Sequence, residues 1–138
     1  MRTACAAAAV TTTALLAACG DPAAGDPSTG RQATAGEVVV LVSAPQDAGM
    51  DALGGGTVEV VGNCLGADGT VVIWPHGTEV VTEDPLVVDV PEIGRVALGD
   101  VVELTGGFVF EPSSGPAGAD PDPRVPPECT GHPVFLAH

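Results

Sequence analysis

The sequence predicts an all-β protein, built as a small closed β-barrel or a β-sandwich, behind a disordered N-terminal signal peptide and linker. Two observations favour this fold class. Short Val-rich strings recur along the chain with Gly and Pro between them, which is the composition of strands and tight turns. No segment after residue 20 has the apolar period of a long amphipathic helix. At 138 residues, the chain has room for one such domain.

Turn-forming residues divide the chain after the linker into candidate strands. These strands are predicted at 37–43, 57–64, 70–75, 78–82, 86–90, 101–110 and 133–137. Asp68-Gly69 supplies the positive-φ positions of a tight hairpin turn before the third of them. The glycine run 54–56 predicts another turn, and residues 44–53 have room for one helical turn. The acidic, Pro- and Gly-rich residues 111–127 predict a surface loop.

Residues 95–107, RVALGDVVELTGG, favour an OB-like barrel. Here a Gly-Asp turn leads into a strand, and a Gly pair falls where a barrel strand has to bend sharply. The alternative is a sandwich, because Cys64, Trp74 and Cys129 are spaced almost as in the Cys–Trp–Cys pattern of immunoglobulin domains. The chain has no Tyr, however, and Pro127 stands where such domains place a tyrosine before the second cysteine.

The charge of the chain excludes one class of partner. Eighteen Asp and Glu stand against four Arg and no Lys, for a formal net charge of -14. Proteins bind nucleic acids chiefly by placing Lys and Arg against phosphates, so we expect no nucleic-acid partner. For the same reason the surface should avoid the headgroups of anionic lipids.

The N-terminus has the features of an export signal. Met1-Arg2 gives a short positive start, and residues 4–18 are apolar apart from a Thr cluster. This stretch is shorter than the roughly 20 residues that span a bilayer as a helix. Gly-Asp-Pro follows it, in place of a basic stop-transfer cluster. We therefore predict a signal peptide over residues 1–18.

The end of this stretch, LAAC at positions 16–19, resembles the lipobox of bacterial lipoproteins. The resemblance implies that the Cys19 thiol receives a diacylglyceryl group and that the chain is cut between Ala18 and Cys19. Acyl chains such as palmitate would then anchor the protein on the extracytoplasmic face of the cell membrane, which is its implied partner. Residues 19–36, rich in Gly, Pro, Ala, Ser and Thr, are predicted as a flexible tether, and residues 37–138 as the β-domain.

The remaining cysteines predict a disulfide bond. Of four cysteines, Cys5 leaves with the signal peptide and Cys19 carries the lipid, so Cys64 and Cys129 remain. An even number in an exported, oxidising setting predicts that these two pair. Two free thiols or a metal pair are the alternatives, and no C-x-x-C motif supports the metal.

No catalytic constellation is recognisable, and we expect neither an enzyme nor a cofactor. The Ser residues lie outside any G-x-S-x-G elbow, and there is no Lys for a phosphate-binding loop. The candidate ligand-binding residues are Trp74, which would stack on a sugar or peptide at a barrel mouth unless it belongs to the core, and the adjacent His76. A zinc or copper site from His76 and His132 is an alternative, as is calcium in the acidic loop, but no metal ligand is assigned.

Three segments resemble parts of uncharacterised small lipoproteins of actinobacteria, namely residues 63–78, 98–107 and 129–137. They share a Cys-Leu near a hairpin, a strand that ends in Trp-Pro, a Gly-Asp turn and a late cysteine. These motifs are structural, so the resemblance implies anchoring and an OB-like fold but no activity. We expect a non-catalytic, lipid-anchored envelope protein that binds a protein, peptide or glycan, or has a structural role. A metal-binding lipoprotein and an envelope hydrolase are the alternatives.

Overall fold

A computed structural model of the chain describes residues 30–112 and 123–138. The predicted signal peptide, Cys19, most of the tether and the centre of the 111–127 loop lie outside these residues. The described residues form ten β-strands, one 3₁₀ turn and no α-helix, which confirms the all-β prediction. The strands are β1 (Arg31–Ala35), β2 (Val38–Val42), β3 (Ala52–Val61), β4 (Cys64–Ala67), β5 (Thr70–Trp74), β6 (Glu79–Glu83), β7 (Leu86–Val90), β8 (Gly94–Ala97), β9 (Val101–Phe110) and β10 (Val134–Ala137).

Each strand predicted from a Val-rich string has a counterpart, at β2, β3, β5, β6, β7, β9 and β10. Strands β1, β4 and β8 were not predicted. β1 lies inside residues 19–36, the predicted tether, so regular structure begins earlier than the composition indicated. The sequence of β1, RQATA, is largely polar, and most of its side chains are exposed. Its backbone pairs with β2 along the whole strand, with Arg31 opposite Val42 at one end and Ala35 opposite Val38 at the other.

The glycine run 54–56 lies inside β3 and is not a turn. A Cβ on Gly54 would lie 2.6 Å from the Phe135 ring, and one on Gly55 would lie 2.2 Å from the Val102 carbonyl oxygen. The glycines therefore allow the close approach of β3 to its neighbours. In the sequence alone, a glycine run in a strand looks the same as a glycine run in a turn. The helical turn predicted in residues 44–53 is also wrong, since the chain runs irregularly there until β3 begins.

Seven strands form one sheet in the order β1-β2-β4-β3-β9-β10-β5, with additional pairings of β5 to β2 and to β4. Strands β3, β4 and β5 are antiparallel neighbours, and Asp68 and Gly69 join β4 to β5 with φ of 45° and 75°. This is the predicted tight turn, although the strand before it is β4. Strand β5 is parallel to β10 and to β2, whereas β9 pairs antiparallel with β3 and β10. Strands β6, β7 and β8 form a separate three-stranded sheet.

Two buried apolar clusters lie on opposite faces of the larger sheet. Along β5, Val72 and Trp74 belong to the first cluster, whereas Val71 and Ile73 belong to the second. Successive side chains of a strand point to opposite faces, so the sheet separates the two clusters. Four residues of the three-stranded sheet complete the first cluster: Leu86, Val88, Val90 and Val96.

The predicted disulfide between Cys64 and Cys129 is present, with Cα atoms 5.7 Å apart. Cys64 is the first residue of β4, and Cys129 is the last residue of the 3₁₀ turn Pro127–Cys129. The bond therefore attaches residues 123–130 to the face of the larger sheet that carries the second cluster. Both cysteines are fully buried and, with Val125, they complete the second cluster. The disulfide thus holds in place a segment that has no regular strand of its own.

Replacing Cys64 and Cys129 together by Ala is expected to lower the free energy of unfolding by about 4 kcal/mol. The bond joins residues 65 apart in the sequence, so its loss restores much chain entropy to the unfolded state. Urea unfolding followed by the emission of Trp74, the one Trp of the chain, measures the change. Cys19→Ala, which leaves the pair intact, is the control. A midpoint that the double substitution leaves unchanged would contradict the prediction.

Candidate functional site

Three parallel strands end at one edge of the large sheet and create a cavity there. Leu41 of β2 lies opposite Ile73 of β5, which in turn lies opposite Leu136 of β10. Because these strands run in the same direction and register, the residues that follow them come together. The cavity has a volume of about 170 Å³. Its lining residues are Ser43, Ala44, Gln46, Pro75, His76, Pro91, Glu92 and His138.

Backbone groups hold both imidazoles of the cavity. The Ser43 amide donates to the Trp74 carbonyl oxygen over 2.8 Å, which fixes the ends of β2 and β5 against each other. The Ser43 carbonyl oxygen lies 3.3 Å from Nδ1 of His76, and the Met50 carbonyl oxygen lies 2.7 Å from Nε2 of His138. A carbonyl oxygen only accepts hydrogen bonds, so each of these ring nitrogens is the donor.

The hydroxyl of Ser43 is buried and has no hydrogen-bond partner in the described part of the chain. Only 3% of the residue is exposed. A buried polar group without a partner costs about 1–3 kcal/mol of folding free energy. A second buried polar side chain, Thr78, is hydrogen-bonded as buried hydroxyls normally are, since its hydroxyl donates to the Pro75 carbonyl oxygen over 2.8 Å. Ser43 is therefore an exception that needs an explanation.

Glu92 also lines the cavity in a costly conformation. It has a φ of 66°, and the amide of Ile93 donates to the Val90 carbonyl oxygen over 3.1 Å. With Pro91 before it, Glu92 thus occupies the turn position at which a positive φ normally selects glycine. A residue with a side chain costs roughly 1 kcal/mol more than glycine in the left-handed region. The carboxylate of Glu92 forms no hydrogen bond or ion pair with any residue in 30–112 or 123–138.

A second hollow, of about 290 Å³, adjoins the first and shares Gln46 and His138 with it. Its other lining residues are Ala48, Gly49, Met50 and Leu136. Gly49 packs so closely on the His138 ring that a Cβ would lie 2.0 Å from Cδ2 of the imidazole. His138 and Gln46 thus line both hollows, of which the second is the more apolar.

The two ligand-binding candidates named from the sequence have different positions. His76 is exposed and lines the polar cavity. Trp74 is completely buried, and its indole N–H donates to the Leu65 carbonyl oxygen over 3.2 Å, so neither face of the ring is open to a ligand. His132 is half-buried and lines neither hollow, whereas His138 lines both.

Sequence reasoning missed Ser43, Glu92 and His138 as members of the site. The proximity of Ser43 and His138 depends on the register of the parallel strands. Glu92 comes from the turn between β7 and β8 of the smaller sheet, which packs against the larger one. Neither arrangement leaves a local signal in the sequence. Pro91 before Glu92 was the one available indication of a turn that strains its second residue. Among the described residues, no group of three or more His, Cys, Asp or Glu side chains is placed to hold a metal ion.

Comparisons of the chain with protein-family profiles, with curated proteins and with solved structures found no match. Within the described ranges, the structure contains no helix with the length and apolarity needed to cross a membrane.

Ser43→Ala and Glu92→Gly are each expected to raise the free energy of unfolding by about 1 kcal/mol in the absence of ligand. The first substitution removes a buried hydroxyl that has no partner. The second places glycine at a positive φ that disfavours a side chain. Urea unfolding, followed by Trp74 emission, measures both changes.

Two further variants serve as matched controls. Thr78→Val removes a buried hydroxyl that does have a partner and should lower the free energy of unfolding by about 1 kcal/mol. Glu92→Gln removes the same charge as Glu92→Gly but keeps a side chain at positive φ, so no gain is expected. If Ser43→Ala destabilised the protein as Thr78→Val does, the Ser43 hydroxyl would have a partner in solution.

Proposed function

We propose that this chain is a lipid-anchored, non-catalytic binding domain of the cell envelope that takes a small polar ligand into the cavity beside Ser43. Acyl chains on Cys19 would hold it at the extracytoplasmic face of the membrane. The residues between Cys19 and β1 would act as a tether with a root-mean-square span of about 20 Å.

The observation that carries this proposal is that two residues that reduce stability line the same cavity. The unpartnered hydroxyl of Ser43 and the positive φ of Glu92 each lower the free energy of unfolding. Ala at position 43 or Gly at position 92 would remove that loss. Residues that lower stability in this way cluster at functional sites such as ligand-binding sites. A ligand that pairs with the exposed carboxylate of Glu92, and that hydrogen-bonds to Ser43 after a local shift of the cavity wall, would explain why both side chains are present.

We further propose that five strands of the large sheet form a small closed barrel of the OB type. The pairings support this arrangement, since they run from β3 to β4, β5, β10 and β9 and return to β3. The two long strands, β3 and β9, have the glycines that a sharply bent barrel strand needs. A sandwich of the larger and smaller sheets is the alternative arrangement.

In an OB-type barrel, ligands commonly bind on the face of the second and third strands, which correspond here to β4 and β5. That surface is covered in this chain. Val71 and Ile73 of β5 are buried under Val125 and Cys129, and the disulfide holds the covering segment in place. The cavity at the ends of β2, β5 and β10 therefore supports ligand binding better than the usual face does.

The geometry favours binding over hydrolysis. A serine nucleophile needs a hydrogen bond to a general base, but the Ser43 hydroxyl makes none, and the adjacent His76 directs Nδ1 to a backbone carbonyl. Of the described residues that line the cavity, Glu92 is the one with a side-chain carboxylate. This arrangement suits recognition of a ligand more than activation of a nucleophile.

The anchor is tested by Cys19→Ala in a bacterial host. The wild-type chain is expected in the membrane fraction and the variant in the soluble fraction, because only a thiol can form the thioether to the lipid. Cys64→Ala, which keeps the lipobox, is the control and should stay with the membrane. A Cys19→Ala chain that still sediments with membranes would contradict the lipid anchor.

Binding in the cavity is tested by nuclear magnetic resonance of the full chain in detergent micelles, with glycerol, glucose, acetate and n-butylammonium as probes. At least one probe should shift the amide signals of Ser43, His76 and Glu92 in a saturable way. Ala44→Leu, whose side chain fills the hollow, should abolish that shift. No saturable shift with any probe up to about 10 mM would overturn the binding function.

A further inference from the structure

We infer that the ligand of this cavity is a small primary ammonium compound with a short hydrocarbon chain, an inference that rests on the binding function proposed above. The polar hollow offers acceptors for the N–H groups of such a ligand, and the adjoining apolar hollow has room for its carbon chain. Three properties of the cavity lead to this chemistry: the orientation of its imidazoles, its charge and its size.

The imidazoles of His76 and His138 line the cavity, and each has a second ring nitrogen that can accept a hydrogen bond. Nδ1 of His76 and Nε2 of His138 each donate to a backbone carbonyl oxygen. In a neutral imidazole only one nitrogen carries a proton, so the other nitrogen, Nε2 of His76 and Nδ1 of His138, is an acceptor. The backbone thus sets both rings in the tautomer that accepts a hydrogen bond from a ligand.

The remaining polar groups and the charge also favour a cationic donor. Glu92 is exposed and contributes a carboxylate, which only accepts hydrogen bonds. The Ser43 hydroxyl has unused lone pairs, but its oxygen has almost no accessible surface, so a ligand would reach it only after a local shift of the cavity wall. Among the residues that the structure describes, no Arg lines this cavity, and the chain as a whole has a net charge of -14. An ammonium group would form a charge-assisted hydrogen bond with the exposed carboxylate of Glu92, which a neutral or anionic ligand could not form.

A metal ion is the other cation that imidazole and carboxylate groups bind, but the spacing does not suit it. Zinc draws nitrogen and oxygen ligands to about 2.0–2.2 Å, so its ligands must converge on one point. No three His, Cys, Asp or Glu side chains within the described ranges converge in this way. An ammonium group donates over about 2.7–2.9 Å in three directions, so its partners can stand farther apart.

The hollows are open to solvent on one side, and the part of a ligand that they hold is a few carbon atoms long. A volume of about 170 Å³ is close to that of the cavity of about 150 Å³ that holds one benzene molecule. Pro75 and Pro91 give the polar hollow apolar walls. Beyond His138, the side chains of Met50 and Leu136 extend the apolar surface into the second hollow. An alkylammonium ion with about four to six carbons fits this arrangement.

Calorimetric titration of the full chain in detergent micelles with three probes of similar size tests the inference. The probe n-butylammonium has charge and N–H donors, tetramethylammonium has charge without donors, and 1-butanol has a donor without charge. We expect a dissociation constant of about 1 mM or lower for n-butylammonium. Tetramethylammonium and 1-butanol should each bind at least about tenfold more weakly, because hydrogen bonds to charged groups are the stronger ones.

Variants locate the binding in the cavity. Glu92→Gln should weaken the binding of n-butylammonium by about tenfold. Glu103→Gln is the matched control, since it removes one exposed carboxylate from β9 outside the cavity and should change the affinity less than about twofold. Unfolding curves from Trp74 emission establish that each variant is folded. An equal effect of Glu92→Gln and Glu103→Gln would overturn the proposed position of the ammonium group.

The outcomes separate this inference from the proposed function. If glycerol, glucose or acetate shifts the cavity signals and n-butylammonium does not, the cavity binds a ligand but the ammonium chemistry is wrong. Equal affinity for the three titration probes would also overturn it, because neither charge nor N–H donors would then matter. If no probe binds, the binding function and this inference fail together.

Discussion

The parallel pairing of β5 with both β2 and β10 is the constraint on which the rest of the structure depends. Parallel neighbours cannot be joined by a tight turn, so the chain must travel far between them. It forms β3 and β4 between β2 and β5, and β6 to β9 between β5 and β10. The carboxyl ends of the three strands consequently meet at one edge of the sheet, and the residues that follow them line the cavity.

The sequence was informative where structure depends on local composition. Val-rich strings marked seven strands, Asp68-Gly69 marked a tight turn, and the even number of remaining cysteines marked the disulfide. It was uninformative where backbone pairing alone defines a strand. Strand β1 is polar, and β4 and β8 are four residues each with a glycine, so none of them has a pattern that differs from a loop.

The candidate site was accessible to sequence reasoning only in part, for the same physical reason. His76 could be predicted as a candidate ligand-binding residue because it follows Trp74-Pro75, a recognisable strand end. Ser43 and His138 become significant only when β2, β5 and β10 are in register, a long-range property. Glu92 becomes significant only when its φ is known. Trp74, the candidate for stacking on a sugar or peptide, instead lies in the core. A domain without Tyr and with few other aromatic side chains needs the volume of this ring there.

The cavity is assembled from segments that lie far apart along the chain, from residue 43 to residue 138. No fragment or local folding intermediate can therefore contain it, and it exists only when the parallel strands have all docked. Occupation of such a cavity is thermodynamically linked to the folding of the whole domain. A ligand at a hundred times its dissociation constant would add about 2.7 kcal/mol to the free energy of unfolding. The concentration of free ligand would then set the fraction of chains that are unfolded and open to proteases.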